Sequence, residues 1–276
     1  MNKFVEDLIA AEIDYFTPML ERQANYTKEQ LEAFRQEGVH ERRKRVSEEL
    51  FTQFDGEVKY GPFQGLQLQK KPWWGTSDLG SMCLGLYEKE ILDFLFSNDL
   101  GDRDTFIDIG AADGYYAVGM LHSQRVKKAV CFELSQEGQD TILENWKKNH
   151  SPGLIEIYGD IFLNFEEAIK NIDMSKVITL IDIEGAEFDF LNDTTLAALT
   201  DSIVVIEIHN WVEQFVEKYS QFLRLASKYF KVEFVERVER PTVHFEELRS
   251  FTDDNRLLLT SEARPCLMRF IKLMPL

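Results

Sequence analysis

Five apolar runs beyond residue 104 end on residues that can do chemistry. FIDIG carries Asp108 and Gly110, CFEL carries Glu133, IYGD ends on Asp160, LIDIEG carries Asp182 and Glu184, and VVIEIHN carries Glu207 and His209. One acid after a strand is ordinary solvation or helix capping, where Ser, Thr, Asn and Asp serve equally. Five acids in register point instead to a crevice that receives hydroxyls, amino groups or a cation. The turn after the first run, Gly110-Ala111-Ala112-Asp113-Gly114, narrows the choice. A dinucleotide turn requires Gly at 110, 112 and 115, the third for close helix packing. The chain has Gly110, Ala112 and Tyr115, with small residues at 110, 112 and 114 and an acid two residues earlier.

That arrangement suits S-adenosylmethionine, which has no phosphates and presents an ammonium, a ribose and an adenine. Gly110 and Gly114 let backbone approach the methionine part, and Asp108 attracts the ammonium directly or through water. Glu133 lies at the roughly 20-residue offset where an acid ending the second strand accepts both ribose hydroxyls. Asp160 is either an acceptor for the adenine amino group or the N-cap of the next helix. Ala111, Tyr115, Leu134, Ile161 and Asp182 complete the candidate cofactor contacts.

Methyl transfer from a sulfonium needs alignment of acceptor, methyl and sulfur, and a base for the acceptor's proton. Asp182, Glu184 and His209 are the candidate catalytic residues, with a largely neutral His209 as the expected base. The alternative is that they punctuate a strand-to-helix turn. Asp182, Glu184, Glu207 and His209 could also assemble an oxygen-rich Mg²⁺ site, but a His at the centre favours direct proton abstraction, so no metal is expected.

Placing these residues together requires a sheet. Beyond residue 104 the pattern alternates FIDIG, AVCFEL, LIEIYGD, VITLIDI, SIVVIEIH, KVEFVERV and CLMRFIKL with helical stretches, which predicts a largely parallel sheet with helices on both faces. Ligands of such sheets sit beyond the carboxyl ends of the strands. Upstream, residues 1–55 read as a helical extension: Phe4, Leu8 and Ile9 share a face, and Leu31, Phe34, Val46, Leu50, Phe51 and Phe54 suggest a longer second helix. HERRKRV at 40–46 offers an anion patch or a solvated helix face, and Glu41, Glu48 and Glu49 favour the face. Residues 56–103 form a lead-in of short strands, loops and a helix over about 84–96, ahead of the domain that continues to residue 276. Within it, Tyr87 packs against a helix beside an exposed Glu88, the alternative being that the pair reaches the cofactor mouth.

FIDIGAADGYYAVG, the acid in CFEL, LIDIEGAEFDFL and VVIEIH, together with YGPFQGLQL, LGLYEKEI and SEARPCLMRF, resemble S-adenosylmethionine-dependent methyltransferases of the FkbM type over roughly residues 60–276. The resemblance implies a Rossmann-like class I methyltransferase sheet of seven strands, the last antiparallel. It also implies O-methylation of a sugar or other small natural-product-like molecule. Ala112 departs from the middle glycine common in wider methyltransferases.

The net charge of −17, from 31 basic and 48 acidic side chains in 276 residues, opposes a nucleic-acid partner, since phosphate binding depends on Lys and Arg. Cys83, Cys131 and Cys266 show neither metal spacing nor an even disulfide framework, which fits a reducing cytoplasm, and no apolar run suggests a membrane span or a signal peptide. Two other readings stand beside the enzyme: a non-catalytic nucleoside-binding module, and a nicotinamide-dependent oxidoreductase, which Tyr115 and IDIEGAE oppose.

Overall fold

Each apolar run expected as a strand forms one in the computed structural model, which describes residues 3–70, 72–264, 266 and 268–276. The strands are β1 (Thr105–Ile109), β2 (Lys128–Phe132), β3 (Leu154–Tyr158), β4 (Val177–Ile181), β5 (Ile203–Ile208), β6 (Phe230–Val235) and β7 (Arg269–Pro275). They form one sheet of order β3-β2-β1-β4-β5-β7-β6. β1 to β5 are parallel, and β7 inserts antiparallel between β5 and β6, as expected. β1, β4 and β5 are buried along their whole length, which is why they read as continuous apolar runs.

Strand alternation divides the core in two. Phe106, Cys131, Ile178 and Val205 face the helix Tyr115–His122 and the lead-in segment; Ile107, Val130, Ile181 and Ile206 face the helices Ile161–Ile169 and Phe215–Ala226. The order reverses between β1 and β4. At such a switch point the loops leaving adjacent strands diverge to opposite faces and open a crevice.

The amino-terminal region departs from expectation in two ways. The longer second helix is two, Lys28–Gln36 and Val39–Gln53, because Glu37 is extended and Gly38 caps the second. Val46, Leu50, Phe51 and Phe54 join the same buried cluster as the lead-in segment. Within HERRKRV, Arg43 is buried and donates to the carbonyls of Leu258 (2.9 Å) and Ser261 (2.7 Å), so it ties two distant segments together and is not a solvated residue. Arg45 is partly buried and pairs with Glu37 and Glu49. The side chains of Phe4 and Leu8 lie outside the described residues, and Ile9 is exposed.

The described residues of 56–78 run as loops with one bridge, Glu57 to Gln67, and the expected helix over 84–96 is confined to Lys89–Leu95 after a short turn of helix at Leu79–Cys83. Cys83 and Cys131 are buried and Cys266 is exposed, all three free. Among the described residues, no helix is long and apolar enough to cross a membrane.

Candidate active site at the carboxyl edge of the sheet

The turn after β1 is held by backbone that only small residues permit. Gly110 has φ +87°, and a Cβ there would lie 1.7 Å from the Asp182 carbonyl oxygen. Its N–H and that of Ala111 donate to the Phe132 carbonyl, at 2.9 and 3.0 Å, which locks the turn to β2. Gly114, at φ +76°, then caps the helix Tyr115–His122. Ala112 occupies a left-handed conformation at φ +47°, a cost of order 1–3 kcal/mol that surrounding contacts must offset. One such contact is to Glu133: its Oε2 accepts from Ala112 N (2.9 Å) and its Oε1 from Ser135 N (2.8 Å). Each oxygen retains a lone pair for a ligand hydroxyl. Asp108 is buried beneath the turn and accepts from Ala117 N at 3.1 Å. Burial, with the charges of Asp182, Glu133 and Glu88, pushes its carboxyl up to about 8.

Above the turn lies a cavity of about 440 Å³ at the ends of β1 to β4. Every expected cofactor contact except Gly114 lines it: Asp108, Gly110, Ala111, Tyr115, Glu133, Leu134, Asp160, Ile161 and Asp182. The wall carries six carboxylates, counting Asp113 and Glu184, and no Lys, Arg or His among the described residues. Asp160 does cap its helix, accepting from Phe162 N at 2.8 Å, yet it lines the cavity with its other oxygen uncommitted. Both readings of that residue are therefore compatible. The lead-in segment closes the mouth: Asp113 accepts from Trp73 N (2.7 Å) and Trp74 N (3.3 Å), and both indoles line the cavity.

His209 is placed differently from the expectation. It has no solvent exposure and does not line the cavity; it sits behind Asp182, with Nε2 3.3 Å from Asp182 Oδ1 and 3.9 Å from oxygens of Glu184 and Glu207. Its Nδ1 is 3.1 Å from Glu187 Oε1, which also accepts from the His209 backbone at 2.9 Å. Burial alone would lower the imidazole's pKa, but the Asp182 and Glu187 carboxylates override it and raise it to about 10. The expected place of His209 as a base at the cavity wall is thus corrected: the ring is buried behind Asp182 and held by Glu187, and the flanking carboxylates favour its protonated form. The carboxylate at the wall is Glu184, half-exposed, at φ +54°, and raised by burial and by the neighbouring Asp182 charge.

Glu187 and a second group were missed. Glu187 also accepts from Gly185 N (2.8 Å), so one buried carboxylate fastens the loop after β4 to the end of β5. The acid recurring in EGAE was its only trace in the sequence. The second group is Arg264, which pairs with Glu88, Glu207 and Glu262. Glu88 is therefore buried and not exposed as expected; Tyr116 donates to it at 2.6 Å, and Tyr87 beside it lines the cavity. SEARPCLMRF was visible as a segment, but nothing local marks Arg264 as the partner of residues far upstream.

No family model and no curated protein matches the chain. Solved structures similar to it include a precorrin-6y C5,15-methyltransferase from Geobacter metallireducens (11% identity, 66% of this chain and 85% of that one, TM-score 0.42). Others are an O-methyltransferase from Bacillus cereus in complex with SAH (12%, 68% and 80%, 0.44) and M. jannaschii TYW2 in complex with AdoMet (15%, 70% and 77%, 0.40). The expected membership of the FkbM type is corrected: no family model matches the chain. What the strand order and the antiparallel β7 do show is the fold: a seven-stranded, Rossmann-like class I methyltransferase sheet.

Proposed function

We propose that this chain is an S-adenosylmethionine-dependent methyltransferase acting on a hydroxyl of a small acceptor. One observation carries the reading: a mostly apolar cavity at the switch point whose charged wall residues are all acids. A pyrophosphate would be repelled there, whereas a cationic nucleoside without phosphates matches each group. Glu133 would take the ribose hydroxyls, Asp160 the adenine amino group and Asp108 the ammonium, with Leu134, Ile161 and Phe162 supplying apolar surface. When bound, the cofactor supplies a methyl group on a sulfonium for in-line displacement. Glu184 accepts the acceptor's proton, and His209 and Glu187 fix the loop that carries it. The acceptor enters past Trp73, Trp74 and Tyr87, aromatic surface that suits an apolar or planar body bearing the hydroxyl.

Calorimetry with S-adenosylmethionine tests the cofactor, and a labelled-methyl transfer screen of sugars and small hydroxylated molecules, read by mass spectrometry, tests the reaction. Glu133→Ala should weaken cofactor binding by about 1–3 kcal/mol, the worth of charge-assisted hydrogen bonds. An unchanged affinity in folded Glu133→Ala protein removes Glu133 from the site. Retention of the cofactor without turnover across the screen would favour the non-catalytic binding module.

Binding should also depend on pH through Asp108. Its carboxyl, raised to about 8 by burial, is mostly protonated at pH 6, and a bound ammonium favours the ionised form. Binding then releases a proton, so affinity should rise with pH by up to roughly tenfold per unit between pH 6 and 7. In Asp108→Asn that slope should vanish. Equal slopes in both proteins would assign the dependence to another group.

A further inference from the structure

The cluster behind the cavity wall gathers more carboxyl groups than the cations that face them. Asp182, Glu184, Glu187 and Glu207 surround His209, and among the described residues the only other cation within ion-pair distance of any of them is Arg264. Arg264 is itself shared with Glu88 and Glu262. Isolated buried carboxylates are among the most expensive groups in a protein interior. Several of these atoms are also orphaned: His209 Nε2, Asp182 Oδ1 and both Glu207 oxygens are buried without a hydrogen-bond partner, although Arg264 Nη1 approaches Glu207 Oε1 to 2.7 Å. His209 and Glu207 have no exposed surface, so bulk solvent does not reach them.

We propose that Asp182, Glu207 and His209 bind a divalent first-row metal ion of the Mn²⁺, Fe²⁺ or Zn²⁺ kind. One atom from each lies within 4.8 Å of the others, and His209 Nε2 is 3.3 Å from Asp182 Oδ1 and 3.9 Å from Glu207 Oε2. Ligands about 2.0–2.2 Å from a common ion stand about 3–4.4 Å apart, a range that both distances from His209 Nε2 already satisfy. Glu187 bonds the other ring nitrogen, the carboxylate–histidine arrangement that fixes a ligating imidazole, and it leaves Nε2 pointing at the two carboxylates. The imidazole distinguishes the site from an all-oxygen Mg²⁺ site and favours a transition ion. Asp182 faces the cavity and Glu184 is half-exposed, which gives the ion a way in and an open coordination position toward the acceptor. This proposal departs from the sequence-based expectation that no metal is involved; it stands on the cluster alone and does not require that the cofactor be S-adenosylmethionine.

Chelator-treated full-length protein, without cofactor or acceptor, is titrated with Mn²⁺ and followed by electron paramagnetic resonance. One Mn²⁺ per chain is expected, with ¹⁴N modulation in the spin-echo spectrum from a coordinated imidazole. Glu187→Gln should weaken binding roughly 10–100-fold by releasing the ring, and Glu207→Gln at least as much. Should these variants fail to fold, the wild-type spectrum still decides. No stoichiometric Mn²⁺ binding, or Mn²⁺ bound without ¹⁴N coupling, overturns the proposal.

Discussion

Glu184→Gln is expected to lower kcat for methyl transfer by roughly 10²–10⁴, the usual contribution of a positioned general base, while leaving cofactor affinity within about twofold. Glutamine keeps the shape and the hydrogen bonding but cannot take a proton. Glu184 is the suitable group because it alone of the expected catalytic set combines cavity exposure with a pKa raised by burial and by the Asp182 charge. A carboxylate raised toward neutrality is a better base than a fully solvated one. Its left-handed backbone, φ +54°, is a conformation that non-glycine residues adopt at a cost, and Glu187 stabilises it by accepting from the next residue's N–H. Steady-state kinetics with an acceptor found in the screen, together with calorimetry of the cofactor, separates kcat from binding. Turnover of the glutamine variant within about threefold of wild type would move the base to Asp182.

Arg264→Ala should cost about 3–5 kcal/mol of folding stability, the range for breaking a buried ion pair by removing one partner. The guanidinium touches Glu88, Glu207 and Glu262, whose side chains are almost wholly buried. Among the described residues, deleting it leaves three carboxyls in a low-dielectric region with Arg240 and Arg237, which serve Glu90 and Glu262, and His209, which faces Glu207 at 3.9 Å but is shared with three other carboxylates. The loss should appear as a lower urea midpoint at unchanged m-value. It should exceed that of Arg42→Ala, whose guanidinium pairs at 3.6 Å with the exposed Asp254 and is worth at most about 1 kcal/mol. Equal midpoints for the two variants would show that Arg264 does not neutralise the cluster. Because Arg264 also anchors the segment before β7, a second consequence is looser closure of the cavity beside Tyr87, read as weaker cofactor binding in the folded fraction.

What the sequence determined by itself was local. Seven apolar runs became seven strands because a strand's burial is written in consecutive residues, and β1, β4 and β5 read as continuous runs because both faces are covered. The turn from Gly110 to Gly114 and the acids at Asp108, Glu133 and Asp160 were legible for the same reason: each strand end has a fixed place beside the switch point once the sheet is parallel. The break of the second helix was also available in Gly38, although apolar spacing on either side of it suggested continuity.

Charge state and exposure were decided only by the tertiary structure. His209 ends a strand as a candidate base should, but whether it faces the cavity or lies behind Asp182 depends on how the loop after β4 folds over the end of β5. Its ring is held by Glu187, 22 residues away. Glu88 looked like an exposed residue on a helix, and its burial depends on Arg264, 176 residues further along. Periodicity records which face of an element is apolar, and it carries no information about which distant side chain will meet a polar one there. Coulombic and desolvation energies are set by just those meetings, so the sequence located the carboxylates while the fold determined which of them hold a proton, a cation or a neighbouring loop.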